Sequence, residues 1–236
     1  MSGTGADDPV LLFSWRGCLF RVSDGVQPPK AGSLFFCRHL QVKSGERVLE
    51  IGGGLGLAAV LMARDGAQVT ATDVVPDAIT AMRTNAALNG VTIDARLGDG
   101  WDPVGNERFD LVCTNPPQMP TPAGRDREDA EAAADNGGVD GWALLDRVIA
   151  GAPAHLERNG RLIFSIFDFL GLENAHAKLE AVGFTLRVLA RETQSFPRIG
   201  YERLDHLRSI DREATLPARG LPRTVERFIV EGTRRA

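Results

Sequence analysis

The chain has 236 residues, 43% of them hydrophobic and 25% charged, enough to bury the core of one enzyme-sized domain. Its net charge of −4, from 31 acids against 27 bases, provides no overall field for a polyanion, so a stand-alone nucleic-acid enzyme is disfavoured although a local basic stripe is compatible. No apolar stretch approaches the ~18 residues of a membrane span, and Met1 to Pro9 is polar and acidic rather than a signal sequence, so a cytoplasmic protein without a membrane segment is expected. Cys18, Cys37 and Cys113 are far apart in apolar context and read as buried unpaired thiols. His39, His155, His176 and His206 lack ligand spacing, so no metal site is expected.

From the N-terminus, Val10 to Phe13 and Cys18 to Val22 predict two short strands around Arg16-Gly17, and Gly25 to Lys30 is a breaker segment. Ala31 to Leu40 reads as a helix ahead of the first core strand, Arg47 to Ile51. That strand runs into Gly52-Gly53-Gly54-Leu55-Gly56-Leu57, and glycine is needed where a ligand meets backbone, because a Cβ blocks close approach. A dinucleotide fingerprint read from Gly52 needs Gly or Ala where Leu57 stands, and a phosphate loop needs a Lys followed by Ser or Thr, which is lacking. What remains is Glu50 two positions before Gly52, Gly54 and Gly56, a floor for a nucleoside cofactor or a bare strand-to-helix turn. A helix over Leu57 to Arg64 and a strand over Gln68 to Thr72 lead to Asp73, about 20 residues on, where a carboxylate at a strand tip holds ribose hydroxyls. These motifs resemble those of the class I S-adenosylmethionine-dependent methyltransferases, and the resemblance extends over most of the chain from about Gly25.

A helix over Asp77 to Leu88 carries Pro76 in its first turn, and the strand Thr92 to Leu97 ends in Gly98-Asp99-Gly100-Trp101. Either Asp99 accepts from a cofactor's adenine amine with Trp101 on the base face, or this is a turn with its tryptophan anchored in the core. The apolar strand Phe109 to Thr114 then enters Asn115-Pro116-Pro117-Gln118. Two prolines after a strand end the ladder and fix φ, building a rigid elbow at the carboxyl edge of the sheet. There the side-chain carbonyl of Asn115 and the backbone carbonyl of Pro116, stiffened by Pro117, can each accept one N–H and leave a nitrogen lone pair aimed at an electrophilic methyl.

Met119 to Ala134, rich in Pro, Gly and charge, is either a lid or a solvated insertion. Asp135 to Trp142 leads into a helix over Ala143 to Ala150. A turn at Asn159-Gly160 precedes the strand Arg161 to Phe167, followed by a helix over Glu173 to Val182 and strands over Phe184 to Ala190 and Val225 to Glu231. The intervening insertion, Arg191 to Thr224, carries Phe196, Arg198, Tyr201, Arg203, His206, Arg208 and Arg212. It reads as a helical excursion, Glu202 to Arg212, with a solvated basic face, or as a contact for a substrate carboxylate or phosphate. The fold class is α/β: a doubly wound, mostly parallel seven-stranded sheet of Rossmann-like form with an antiparallel C-terminal edge hairpin. Residues 1–40 read as a short N-terminal extension capping the site, and residues 41–236 as the methyltransferase domain.

Asn115-Pro116-Pro117 followed by Gly137-Gly138-Val139-Asp140-Gly141 and a helix resembles the HemK-type protein glutamine N5-methyltransferases, and Gly25-Val26-Gln27-Pro28 resembles the segment with which that family covers its cofactor. Two departures stand out. Gln118 replaces the family's aromatic residue, implying a substrate contacted through hydrogen bonds rather than stacking, and only a short segment precedes Gly25, where the bacterial release-factor enzymes carry a helical substrate-gripping domain. The resemblance implies S-adenosylmethionine as cofactor, held by Glu50, Gly52, Gly54, Gly56, Asp73, Asp99 and Trp101. It implies methyl transfer by Asn115, Pro116 and Pro117 to an amide or amine nitrogen of a small metabolite or peptide. Alternatives are an N6-adenine-type nucleic-acid methyltransferase and a non-methylating enzyme that uses the cofactor for alkyl transfer or cyclisation. Acceptor, oligomeric state and any partner subunit stay open.

Overall fold

The computed structural model describes residues 11–125 and 135–234. In chain order the elements are β1 (Leu11–Trp15), β2 (Cys18–Val22), α1 (Ala31–His39), β3 (Arg47–Ile51), α2 (Leu57–Arg64), β4 (Gln68–Asp73), α3 (Pro76–Leu88) and β5 (Asp94–Leu97). They continue as β6 (Phe109–Thr114), α4 (Ala143–His155), β7 (Leu156–Phe167), α5 (Leu172–Ala181), β8 (Phe184–Ser195), α6 (Arg198–Glu202), α7 (Leu204–Ile210) and β9 (Thr224–Arg234).

β3 to β9 form one seven-stranded sheet in the order β5-β4-β3-β6-β7-β9-β8. Every pairing is parallel except those of β9, which runs antiparallel to both β7 and β8. The chain leaves β3 through α2 toward β4 and β5, then returns to β6 on the other side of β3. That reversal opens a crevice at the carboxyl ends of the strands. Alternate strand residues feed two layers: Val48, Leu111 and Ile163 pack with α1, α2 and α3, whereas Leu49, Val112 and Leu162 pack with α4, α5 and α7. With both faces covered, the inner strands read as continuous apolar runs.

β1 and β2 form a separate antiparallel ribbon closed by Arg16 (φ 50°) and Gly17 (φ 74°), a two-residue turn whose twist suits paired strands. Side-chain amides take the place of a third strand beside β2. Asn85 of α3 accepts from the Arg21 amide at 2.7 Å and donates to the Arg21 carbonyl at 3.1 Å, and Asn89 does the same with Leu19 at 2.9 and 2.7 Å.

The C-terminal antiparallel hairpin lies at one edge of the sheet as expected, with β9 next to β7 and β8 outermost. Several other elements differ from expectation. The pair extends from Phe184↔Arg234 to Ser195↔Thr224, which shortens the expected insertion at both ends. The predicted helix Glu202 to Arg212 is broken at Arg203 into α6 and α7. Its expected solvated face fails at Arg203, which is 7% exposed and donates to Thr121 Oγ1 at 2.6 Å, pinning the insertion to the loop after the proline elbow. The turn expected at Asn159-Gly160 is a bulge inside β7, between the pairs Phe109↔Leu156 and Leu111↔Arg161, and α4 continues past Ala150 to His155. Of Met119 to Ala134, residues 126–134 lie outside the described residues. Met119 and Thr121 are buried, and their amides bond the carbonyls of Asp135 and Gly138 at 3.0 and 2.8 Å. Among the described residues no helix is long and apolar enough to cross a membrane.

Candidate active site

A cavity of about 860 Å³ occupies the crevice. Its floor is the turn after β3, where the amides of Gly52 and Gly53 donate to the Thr72 carbonyl at 2.8 and 3.0 Å. Gly52 and Gly54 hold φ of 77° and 54°, and a Cβ built on either meets nothing within 4 Å, so both present bare backbone to open space. Gly56 differs from the expected cofactor contact. It lies outside the cavity wall, begins α2 at φ 89°, and a Cβ there comes within 3.2 Å of Met82 Cα. Its glycine is required by packing against α3.

Glu50 and Asp73 both line the cavity. Asp73 closes the glycine turn, its Oδ2 accepting from the Gly54 amide and its Oδ1 from the Val75 amide, each at 2.9 Å. Glu50 is 4% exposed and its Oε2 has no hydrogen-bond partner. Burial, with the nearby Asp73 charge, pushes its carboxyl up to about 8, against a backbone bond at Ala59 that lowers it. An orphaned buried carboxylate oxygen beside uncovered glycine backbone suits a cationic nucleoside with ribose hydroxyls.

Gly98, Asp99 and Gly100 reach the cavity wall, where Asp99 is paired with Arg147 of α4 at 2.5 and 3.0 Å. Trp101 does not face the cavity. Its ring stacks on His155 at 4.3 Å, its indole N–H donates to the Arg147 carbonyl at 3.0 Å, and a Cβ at Gly151 overlaps it. The core-anchored alternative describes Trp101, because α4 offers it a glycine groove.

The proline elbow stands beside the glycine turn, at the carboxyl end of β6, the parallel neighbour of β3. Asn115 is half-buried, and its Oδ1 accepts from Ser165 Oγ at 2.6 Å and from Arg227 Nη1 at 3.3 Å. Asn115, Pro116 and Pro117 all line the cavity, and among the described residues no backbone N–H bonds the Pro116 carbonyl. Gln118 departs from its expected substrate contact. Its side chain is 3% exposed, with Oε1 accepting from the Phe167 amide at 2.8 Å and Nε2 donating to the Ser165 carbonyl and hydroxyl at 3.2 Å. It ties the elbow to β7, using its amide groups within the protein. The glycine-rich segment beyond is shaped by the same corner: a Cβ at Gly137 or Gly141 falls 2.6 or 2.7 Å from Gln118 backbone.

Sequence reasoning missed Ser165, Phe167 and Arg227. Ser165 and Phe167 stand at the carboxyl end of β7, and antiparallel β9 brings its own beginning, with Arg227, to the same edge. The Arg227 guanidinium is centred 3.9 Å from the Phe167 ring, a cation–π contact. Burial pulls its pKa down to about 10, still cationic at neutral pH. Across the mouth, Lys30 pairs with Asp135 at 3.2 Å, and Pro197, Arg198, Ile199 and Glu202 of the insertion complete the wall. Cys18, Cys37 and Cys113 are buried and unpaired. No cluster of three or more His, Cys, Asp or Glu suited to a metal occurs among the described residues.

Known proteins resemble this chain in sequence and in fold. The methyltransferase small domain family matches residues 27–129. A putative protein N5-glutamine methyltransferase of Methanocaldococcus jannaschii is 29% identical over 77% of this chain and 92% of its own length. The release factor glutamine methyltransferase of Geobacter sulfurreducens is 34% identical over 50% of this chain, and the ribosomal protein uL3 glutamine methyltransferase of Bradyrhizobium diazoefficiens 35% over 51%. This chain spans less than half of those two bacterial enzymes, 44% and 40%. Among solved structures, the E. cuniculi Mtq2–Trm112 complex that methylates the eRF1 termination factor superposes with a TM-score of 0.61 at 18% identity, over 89% of this chain and 99% of that one. The T. thermophilus 16S rRNA methyltransferase RsmC, solved with AdoMet and guanosine, gives 0.63 at 17% identity, over 96% and 50%; these two likenesses bear on fold alone. With Glu50, the glycine turn, Asp73 and the Asn-Pro-Pro elbow around one cavity, the chain is an S-adenosylmethionine-dependent methyltransferase similar to the HemK-like protein glutamine N5-methyltransferases.

Proposed function

We propose that this enzyme methylates the side-chain amide nitrogen of a glutamine in a protein substrate. The observation that carries the reading is the Asn115-Pro116 elbow beside the bare Gly52 and Gly54 backbone, both lining one cavity at the carboxyl ends of the neighbouring strands β6 and β3. The named relatives modify glutamine in a release factor or in ribosomal protein uL3, which moves the acceptor from a small metabolite to a protein.

S-adenosylmethionine, when bound, supplies a sulfonium-borne methyl carbon whose sulfur keeps the electron pair of the broken bond. Glu50, Gly52, Gly54 and Asp73 would hold it, with Asp99 at the far wall. Asn115 Oδ1 and the Pro116 carbonyl take the two N–H groups of the acceptor and fix its lone pair. Because Pro116 and Pro117 lock the backbone and Ser165 locks the Asn115 amide, little freedom is lost when the acceptor docks. Positioning of this kind spares the enzyme a strong base. No acidic or histidine side chain lies among Asn115, Pro116, Pro117 and Gln118.

The test is methylation of purified release factor and ribosomal protein uL3, followed by peptide mass mapping. One added methyl on a glutamine side chain is expected. A methyl on lysine, arginine or a nucleobase, with glutamine untouched, overturns the reading.

A further inference from the structure

Among the described residues, Arg227 is the one buried ionised side chain hydrogen-bonded to Asn115, and the mechanism above leaves it without a task. It is 9% exposed, and its Nε has no hydrogen-bond partner among the described residues. Among the described residues, Nη1 donates to Asn115 Oδ1 at 3.3 Å and to Ser165 Oγ at 3.5 Å, the long end of hydrogen-bonding range. The acids nearest in charge effect are Asp135 and Glu192, and each pairs with another cation, Asp135 with Lys30 and Glu192 with Arg38, both at 3.2 Å. The guanidinium therefore stays a largely uncompensated buried charge, a costly arrangement that calls for a partner. It is also held in place: Phe167 lies on one side, and a Cβ on Gly32 of α1 would fall 2.7 Å from its Cζ and Nη1.

A fixed fork of donors beside two N–H acceptors is complementary to a primary amide, which presents a carbonyl oxygen and an NH₂ group in one plane. An ammonium group offers no oxygen and brings a second positive charge into the same buried space. Resting on the glutamine reading above, we propose that Arg227 is the specificity-determining residue, donating to the carbonyl oxygen of the acceptor amide and excluding a cationic amine. The weak Nη1 contact to Asn115 is the one the acceptor replaces, which turns Asn115 Oδ1 toward the incoming N–H while the 2.6 Å Ser165 bond persists.

The test uses the full chain saturated with S-adenosylhomocysteine and two small probes, N-acetylglutamine methylamide and N-acetylornithine methylamide, whose nitrogens stand equally far from the backbone. Binding is followed by NMR titration. The wild type is expected to bind the glutamine probe at least about tenfold more tightly, as a site built to pair a polar group rejects the analogue lacking it. Arg227→Met should collapse that ratio, weakening the glutamine probe and tightening the ornithine probe. Arg227→Lys, which keeps the charge and loses the fork, should continue to exclude ornithine. Gly32→Ala, which pushes on the guanidinium without altering charge, should shrink the preference.

An unchanged ratio in Arg227→Met overturns the assignment, as does a wild type that binds ornithine as well as glutamine or binds neither. Should Arg227→Met fail to fold, the wild-type ratio and Gly32→Ala still decide. Failure of the glutamine reading itself has a different signature, a methyl mapped to another residue type in the protein substrate.

Discussion

Ser165 on β7 and Asn115 after β6 are joined by a 2.6 Å hydrogen bond, the hydroxyl donating to Oδ1. Parallel pairing of β6 with β7, Thr114 opposite Phe164, places the two side chains at the same height on the carboxyl edge. Ser165 thereby sets the plane of the Asn115 amide, the group proposed to meet the acceptor. Ser165→Ala is expected to slow methyl transfer about tenfold, the loss of one well-placed hydrogen bond. S-adenosylhomocysteine affinity should be unaltered, and Ser165→Thr should restore most of the rate. Single-turnover kinetics and calorimetry separate these effects. An equal loss of rate and cofactor affinity would count against the positioning role.

Gln118 carries a structural load. Replacing it by Ala strips the Phe167 amide and the Ser165 carbonyl of their partners inside the core, and each orphaned group costs about 1–3 kcal/mol. Gln118→Ala should cost about 2–4 kcal/mol of stability, read as a lower urea midpoint with an unaltered slope. A fall in activity without any loss of stability would instead return Gln118 to direct substrate contact.

The parts readable in the chain were those whose cause is local. Arg47 to Ile51 and Phe109 to Thr114 declare themselves as strands because both faces are buried, and the glycines and prolines that follow them punctuate the carboxyl edge. Gly52, Gly54, Asp73 and Asn115 were placed on the cavity for that reason. Side-chain direction was beyond reach wherever a distant element decides it. Gln118 turns inward because β7 offers it an amide and a hydroxyl, and Trp101 turns away because α4 offers it Gly151. Arg227 stayed hidden because only the antiparallel insertion of β9 beside β7 brings it to Asn115.

The glycine turn permits a paired test. Gly54→Ala places a methyl in open space at φ 54°, so its cost to folding is about 1–2 kcal/mol of backbone strain. The same methyl projects into the cavity at the floor proposed for the cofactor. Gly56→Ala adds to similar strain a 3.1–3.2 Å approach to Met82 and should cost more stability. Thermal melts with and without S-adenosylhomocysteine are expected to show ligand stabilisation lost in Gly54→Ala but preserved in Gly56→Ala, measured where both are folded. Equal ligand response in the two variants would remove Gly54 from the cofactor floor.

Glu50 makes the protein sensitive to pH in an unusual direction. Its carboxyl is raised from 4.5 to about 8, first by burial and then by the Asp73 charge. Between those values the folded state keeps a proton that the unfolded chain has released, so stability from this group is greatest below the unfolded pKa and declines as pH rises toward 8. The total is on the order of a few kcal/mol, and Glu50→Gln, neutral at every pH, should remove the decline and leave the variant more stable than wild type in mildly alkaline solution. A cation entering the cavity favours the carboxylate, so binding of S-adenosylmethionine near neutral pH should release a proton. Calorimetry in two buffers of different ionisation enthalpy measures that release, which is expected in wild type and absent in Glu50→Gln. A flat stability profile in wild type, with no buffer dependence of the binding heat, would mean that Glu50 is ionised in the folded protein and that its unpartnered oxygen is satisfied by other means.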